Sequence, residues 1–212
     1  GVDFGGTYVK MARVAEDGTI GARASFATKD LKGVDGWLDE VERHAFALMA
    51  DLPADMEWAG VGVGVPGFVD YAKGFVHDLT NVPGWTGVPL AERLGRRFRQ
   101  IVRVDNDVNA MAVGECTYGA GQAYQHAVFI TLGTGVGGGL LINNSLYRGA
   151  YSMAGEIGHV SIDMNGPVAP TGRGGVEQYV GNRRIVERTL REIDAGRISS
   201  ILERAGGKRE AV

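Results

Sequence analysis

The chain has 212 residues, of which 44% are hydrophobic and 22% charged, so it can bury an ordinary globular core in one large domain or two small ones. Its net charge of −3 and the lack of a basic cluster other than one solvated helix face argue against nucleic-acid binding. A single cysteine, Cys116, excludes an internal disulfide framework, and no apolar run is long enough to span a membrane, so we expect a soluble, cytoplasmic protein.

Short strands separated by glycine turns open the chain. Residues 2–4 and 8–14 flank a Gly-Gly pair, which predicts a β-hairpin, and a third strand is predicted over 20–28. Apolar residues then recur at helical spacing over 34–52 and predict a helix. Glycine alternates with valine over residues 60–65, which predicts a strand with one face of bare backbone.

The middle of the chain contains a long segment, 66–89, that is rich in Gly, Asn, Asp and Pro and is predicted to be irregular. A loop of this length in a compact domain usually has a function. Pro89 suits the first turn of a helix that ends near residue 100. The remaining predicted elements are strands over 101–104, 127–132 and 139–142, and helices over 107–118, 176–193 and 198–205.

Glycine is the compositional outlier, with 34 residues that cluster where the backbone must turn tightly or approach a ligand. Gly133, Gly135 and Gly138 fit the G-x-G-x-x-G spacing of dinucleotide-binding folds, but a strand-like run follows where that motif requires a helix. A strand–turn–strand glycine loop instead offers phosphate a nest of backbone N–H groups. The alternatives are a plain glycine-rich hairpin and, against the strand pattern, an NAD-dependent dehydrogenase.

A second candidate phosphate loop opens the chain at 3–7. Gly5, Gly6 and Thr7 offer backbone amides and a hydroxyl, while Asp3 offers a carboxylate suited to Mg²⁺ through a water molecule. Asp before Gly-Gly is also ordinary turn chemistry. The same strand–turn–strand pattern recurs at 131–136, which indicates a weak internal duplication.

Polar side chains cluster at two further places. Asn106 and Asp107 lie where a predicted strand meets a predicted helix, and Asp107 is either the helix N-cap or a general base beside a sugar hydroxyl. Glu156 and His159 lie three residues apart with a glycine between them, and Glu177 follows later. These three residues predict a polar cluster for substrate hydroxyls, unless His159 is an ordinary hydrogen-bonded core histidine.

Seven motifs, in order along nearly the whole chain, resemble those of the sugar kinases of the repressor–open-reading-frame–kinase (ROK) family in the actin-like ATPase superfamily. No single motif is decisive, and their number and order carry the resemblance. They are D-F-G-G-T at 3–7, V-G-V-P-G at 63–67, N-V-P-G-W at 81–85, N-D-V-N-A at 106–110, L-G-T-G-V-G-G-G at 132–139, E-I-G-H at 156–159 and G-x-E-x-Y-V at 175–180.

The resemblance implies an α/β, two-domain actin-like ATPase (ribonuclease H-like) fold. An N-terminal α/β domain over 1–105 and a C-terminal α/β domain over 106–212 would enclose a cleft. It also implies an enzyme that uses ATP and Mg²⁺ to phosphorylate the 6-hydroxyl of a hexose. Glucose is the default substrate, and N-acetylmannosamine, N-acetylglucosamine, fructose and allose are the alternatives.

The family roles transfer to individual residues of this chain. Asp107 would be the catalytic base. The sugar would contact Asn81, Asn106, Asp107, Glu156, His159 and Glu177. ATP and its metal would contact Asp3, Gly5, Gly6, Thr7, Gly133, Thr134, Gly135, Gly137 and Gly138.

Three departures from the family pattern qualify these expectations. Tyr8 stands where the family usually has a lysine after G-G-T. The segment over 166–177 lacks the cysteines that bind structural zinc together with the histidine in many members, so no zinc is expected. The chain ends at Val212, before the segment that binds adenosine, so the C-terminal part of the enzyme is expected to be incomplete.

A sugar-responsive transcriptional repressor is the alternative from the same family. Such proteins carry a DNA-reading helix-turn-helix before the first glycine hairpin, and this chain starts at that hairpin. Hexose and ATP are therefore the expected partners. We expect the protein to bind neither nucleic acid nor a membrane. The sequence leaves open whether the protein forms a homodimer.

Overall fold

The computed structural model describes residues 1–79 and 82–209, which form two compact units. The first unit comprises Gly1–Ala127 and Gly139–Ala154, and the second comprises Val128–Gly138 and the residues from Gly155 onward. The domain boundary predicted between residues 105 and 106 lies inside the first unit. None of the helices in the described ranges has the length and apolar content needed to cross a bilayer.

A five-stranded mixed sheet forms the framework of the first unit. The predicted hairpin and third strand are present as β1 (Val2–Phe4), β2 (Tyr8–Val14) and β3 (Ile20–Ala27), with antiparallel pairing. Two parallel strands, β4 (Val61–Val65) and β7 (Val102–Asn106), extend the sheet beyond β1. The strand order is β3-β2-β1-β4-β7.

One face of this sheet carries the hydrophobic core, because the side chains of each strand alternate between the two faces. Helices α1 (Gly33–Met49) and α2 (Leu90–Phe98) pack on this face. Phe4 of β1 lies at the centre, with its ring 5.0 Å from Trp37 and 4.9 Å from Trp85. All three side chains are almost completely buried.

Helix α3 (Asp107–Tyr118) packs against β4 and β7 and has the bounds that the sequence predicted. Gly64 of β4 lies beneath its first turn, where a Cβ atom would be 3.3 Å from the Asp107 Cα and 3.5 Å from the Ala110 Cβ. Glycine in β4 therefore lets the start of α3 approach the sheet closely, and this approach positions Asp107.

Two short strands form within 66–89, so the expectation that this whole segment is irregular is wrong. β5 (Gly67–Asp70) and β6 (Phe75–Leu79) pair as an antiparallel hairpin. Val69 and Val76 are buried and anchor this hairpin in the core, which outweighs the turn-forming composition of the segment. Pro89 is the N-cap of α2 and not, as predicted, a residue of its first turn.

Shorter elements complete the chain. The predicted helix over 176–193 is broken at Gly181, since Asn182 N–H donates to the Gly133 carbonyl at 2.9 Å and no helix continues through that contact. The elements are β8 (Ala127–Leu132), β9 (Val136–Ile142), β10 (Ser145–Leu146), β11 (Val168–Ala169), β12 (Gly172–Arg173), α4 (Glu177–Val180), α5 (Asn182–Asp194) and α6 (Ile201–Arg204).

Candidate functional site

The turn between β1 and β2 has a fixed shape. Gly5 N–H donates to the Tyr8 carbonyl at 3.0 Å, and a Cβ atom at Gly5 would lie 2.7 Å from that oxygen. Thr28, which directly follows β3, stabilises the turn, because its hydroxyl donates to Gly5 O at 2.7 Å and its N–H to Thr7 O at 2.9 Å. Glycine at position 5 is therefore required by the turn itself.

Asp3 lies in the middle of β1 with its side chain 56% exposed. It pairs with Lys10 of β2 across the hairpin, and the Lys10 Nζ is 4.0 Å from its carboxylate. A cavity of about 980 Å³ opens on this part of the sheet, and its walls include Asp3, Gly64, Asp105 and Arg148. An exposed carboxylate on a cavity wall fits Mg²⁺, which takes one or two carboxylates together with waters and substrate phosphates.

The strand-to-helix junction that carries Asp107 is capped by its neighbour. The Asn106 side-chain oxygen accepts from Val108 N–H at 2.9 Å and Asn109 N–H at 3.2 Å, so Asn106 is the N-cap of α3. The Asn106 amide also donates to Gly67 O at 3.3 Å. Asp107 is the first residue of the helix, and the interpretation of Asp107 as the N-cap is therefore wrong.

In the second unit, the glycine turn after β8 is held by two contacts. Gly133 N–H donates to Gly135 O at 3.0 Å, which closes the turn. Glu177, the first residue of α4, accepts from Val136 N–H through its Oε2 at 3.0 Å. A Cβ atom at Gly135 would collide with the Glu177 carboxylate, so a side chain at that position would displace the end of Glu177.

A short 3₁₀ turn, Ile157–His159, packs against the start of β9 through further glycines. A Cβ atom at Gly138 would collide with the Ile157 side chain, and one at Gly158 would collide with Val136 O. His159 Nε2 lies 3.7 Å from Glu156 Oε2, with both side chains partly exposed. A Cβ atom at Gly175 would lie 3.6 Å from the His159 Cα, so the backbone just before α4 lies beside this turn.

The predicted residues are divided between the two units. The first unit contains Asp3, Gly5, Gly6, Thr7, Asn106 and Asp107. The second unit contains Gly133, Thr134, Gly135, Gly137, Gly138, Glu156, His159 and Glu177. Asn81 lies outside the described residues.

No role was assigned from the sequence to Asp105 or Arg148, which form an ion pair at the strand-to-helix junction that carries Asp107, here called the Asp107 turn. Asp105 is only 8% exposed, although it is a carboxylate. A charged residue in the strand V-R-V-D-N was the available signal, because buried charges are usually paired. Its partner, 43 residues further along, had no such signal.

No three His, Cys, Asp or Glu side chains within residues 1–79 and 82–209 gather closely enough to hold a metal ion. The expectation that the protein has no structural zinc stays a prediction. The corresponding segment instead carries the two-stranded β11–β12 hairpin. The Arg173 Nη1 donates to Gly166 O at 3.0 Å across that hairpin.

Among curated proteins, the chain is 35% identical over 210 residues to a glucokinase of Thermotoga maritima, covering 99% of this chain and 65% of that protein. It is 30% identical over 196 residues to the xylose repressor of Bacillus subtilis, covering 88% of this chain and 48% of that protein. The chain thus spans about half to two thirds of the length of these relatives.

Among solved structures, the chain is similar to a ROK family glucokinase from Streptomyces griseus in complex with glucose and AMPPNP. The TM-score is 0.80 at 32% sequence identity, covering all of this chain and 67% of that one. This likeness confirms the expected α/β fold of the actin-like ATPases. The model of the ROK family matches residues 1–211. The chain therefore belongs to the ROK family.

Proposed function

We propose that the protein transfers the γ-phosphoryl group of ATP to the 6-hydroxyl of a hexose, with glucose as the first candidate. The Thermotoga maritima relative is a glucokinase, and the Streptomyces griseus relative was solved with glucose and AMPPNP. Both similarities extend over nearly the whole chain. They favour a sugar kinase over the NAD-dependent dehydrogenase that the glycine spacing alone left open.

The observation that carries the proposal is a pair of glycines whose identity packing does not explain. At Gly6 and at Gly133, no described atom lies within 4 Å of where a Cβ atom would be. Neither glycine has a positive φ, so backbone conformation does not require glycine there either. Gly62 and Gly114 have the same two properties, so the position in the fold distinguishes Gly6 and Gly133, which lie in turns between neighbouring strands of a sheet. A ligand that approaches the bare backbone of these turns accounts for both glycines, and phosphate held by backbone N–H groups is such a ligand.

Asp107 is proposed to accept the proton from the attacking hydroxyl. Asp107 is the first residue of α3, after the N-cap Asn106, and its Oδ1 accepts from Val108 N–H at 3.0 Å. General-base help of this kind contributes about 10²- to 10⁴-fold to turnover. Asp3 is the carboxylate that would hold Mg²⁺, which when bound neutralises charge on the phosphates.

Glu156, His159 and Glu177 are proposed to bind the C1–C2 side of the sugar. Glu177 also holds the glycine turn through Val136 N–H, so one residue would link the two binding sites. Asn106 is proposed to act on the sugar side mainly by fixing the turn, since both ends of its amide are engaged with the backbone. A site that hydrogen-bonds particular hydroxyls rejects sugars that lack them, because its own polar groups then lose their partners.

The test is ADP release by the full-length protein across a panel of hexoses and N-acetylhexosamines, with wild type and Asp107→Asn. The substitution should lower turnover at least about 10²-fold while sugar affinity changes little, because it keeps the polar shape and removes proton acceptance. Asp17→Asn is the matched control, because that side chain accepts Thr19 N–H in a remote turn at 2.8 Å. Turnover of Asp107→Asn within a few-fold of wild type would place the base elsewhere.

The second candidate is a sugar-responsive repressor, which the similarity to the Bacillus subtilis xylose repressor supports. The same assay separates the two candidates. A repressor would bind the sugar in calorimetry and release no ADP. A kinase would release ADP in proportion to the phosphorylated sugar.

A further inference from the structure

A buried ion pair lies next to the Asp107 turn in the first unit. Arg148 donates through Nε at 3.0 Å and through Nη2 at 2.6 Å to the same oxygen, Oδ2, of Asp105. The two side chains are 20% and 11% exposed, so water screens the pair weakly. Breaking such a pair leaves an uncompensated buried charge.

The other carboxylate oxygen of Asp105 contacts the start of α3. Oδ1 accepts from Asn106 N–H at 2.9 Å and from the Asn109 amide at 3.3 Å. Asn109 is 3% exposed and fixed in the first turn of the helix. Asp105 therefore connects Arg148 to the residues on both sides of Asp107.

Arg148 is itself fixed from a second direction. Its guanidinium carbon lies 3.8 Å from the centre of the Tyr71 ring, a cation–π contact. Tyr71 directly follows β5, the strand whose Gly67 carbonyl accepts from the Asn106 amide. The β5–β6 hairpin thus meets the Asp107 turn through Asn106 directly and through Arg148 and Asp105.

We propose that Arg148 is a positioning residue that acts through Asp105 to hold the direction of the Asp107 carboxylate. The inference rests on the proposed function, because it assigns Arg148 a part in that reaction through Asp105 and Asp107. Catalytic groups must be held within about 0.5 Å of the productive geometry. A misplacement of about 1 Å can cost about 10²-fold in rate.

The experiment compares Arg148→Met and Arg148→Lys in the full-length protein. Arg148→Met should lower kcat about 10- to 100-fold and leave the KM of sugar and ATP within about three-fold, because the binding groups remain. Arg148→Lys should be intermediate, since lysine keeps the charge but lacks the planar fork of N–H groups and the ring stacking. If Arg148→Met does not fold, the kcat of Arg148→Lys tests the inference.

The matched control is Arg97→Met. Arg97 is 27% exposed and donates to Asp39 at 2.6 Å and to Glu42 at 2.7 Å, which joins α2 to α1 away from the Asp107 turn. Arg97→Met should lower the midpoint of urea unfolding, because it removes these ion pairs. The kcat per folded molecule should stay within about two-fold of wild type.

A double-mutant cycle with Asp107→Asn separates positioning from general stability. If Arg148 acts through Asp107, Arg148→Met should not lower the residual turnover of Asp107→Asn further, although it should still lower the unfolding midpoint. If Arg148→Met lowered kcat by the same factor in wild type and in Asp107→Asn, the inference would be wrong and the proposed function would stand. Wild-type kcat in both Arg148 variants would have the same meaning. Absence of ADP release by the wild-type protein with every sugar would overturn the proposed function and the inference with it.

Discussion

The carboxylate of Glu177 accepts a hydrogen bond from the backbone N–H of Val136 at 3.0 Å, and thereby braces the glycine turn from the first residue of α4. The same carboxylate occupies the space that a side chain at Gly135 would need. A residue predicted for sugar binding is therefore also part of the support of the predicted phosphate loop.

We expect Glu177→Gln and Glu177→Ala to have different kinetic effects. The amide oxygen of glutamine can still accept from Val136 N–H, so Glu177→Gln should raise the KM of the sugar more than that of ATP. Alanine removes the acceptor, so Glu177→Ala should raise both KM values. Steady-state kinetics with each substrate varied in turn measures the split.

The control for both variants is Glu187→Ala. Glu187 pairs with Arg183 at 2.8 Å and Arg184 at 2.9 Å on the exposed part of α5, so its loss should leave both KM values unchanged. Equal effects of Glu177→Gln on the two KM values would contradict the assignment of Glu177 to the sugar.

The second prediction concerns the segment that carries structural zinc in many family members. We expect EDTA to leave the melting temperature unchanged and elemental analysis to find no stoichiometric zinc, because the segment is held by backbone and side-chain hydrogen bonds. Gly174 N–H donates to Pro167 O at 2.8 Å, and Ile162 N–H donates to Gly174 O at 2.9 Å. Zinc that is lost together with folding on chelation would contradict this prediction.

Gly174→Ala tests that backbone arrangement directly. Gly174 has a φ of +69°, and a Cβ atom would collide with Asp163 O, so the substitution should lower the unfolding free energy by at least about 1 kcal/mol. Gly196→Ala is the control, because its φ is +86° but no described atom lies within 4 Å of the added Cβ. A larger loss at Gly174 than at Gly196 isolates the effect of the collision.

A third prediction concerns stability against pH. His44 of α1 stacks on Phe26 at 4.9 Å between ring centres, and burial, followed by the charge of Arg43, lowers its pKa below the usual value of 6.5. The unfolded chain therefore takes up a proton at higher pH than the folded chain does. Stability should fall as the pH drops from about 7 through the folded pKa.

His44→Asn should remove this part of the pH dependence. The measurement is urea unfolding at several pH values between about 5 and 8, where wild type should lose stability on acidification more steeply than the variant. Identical slopes for the two proteins would mean that His44 does not contribute to the acid sensitivity.

The strongly patterned elements were predictable from sequence, and contacts between distant segments were not. The bounds of α3 and β8 match those predicted, because each is a mostly apolar segment with clear ends. The β5–β6 hairpin was missed because each strand has only four or five residues among turn-forming ones. Its existence depends on the burial of Val69 and Val76, which no local pattern reports.

The local structure around the candidate site residues was predictable to the same extent. Glycine turns and the Asn106–Asp107 junction have local signals, so the candidate residues could be named. The pairing of Arg148 with Asp105 and of Glu177 with Val136 joins segments about 40 residues apart, and only the fold determines it. For the same reason, the sequence could not tell which glycines pack and which face open space.

The last prediction uses that distinction. Gly133→Ala should fold normally, because no described atom lies within 4 Å of the added Cβ, and should raise the KM of ATP about ten-fold or more by blocking close approach of phosphate to the backbone. Gly114→Ala in α3 is the control, equally open and expected to stabilise by about 0.5–1 kcal/mol. If both variants keep the wild-type KM of ATP, the turn at Gly133 does not bind phosphate, and its glycine has another cause.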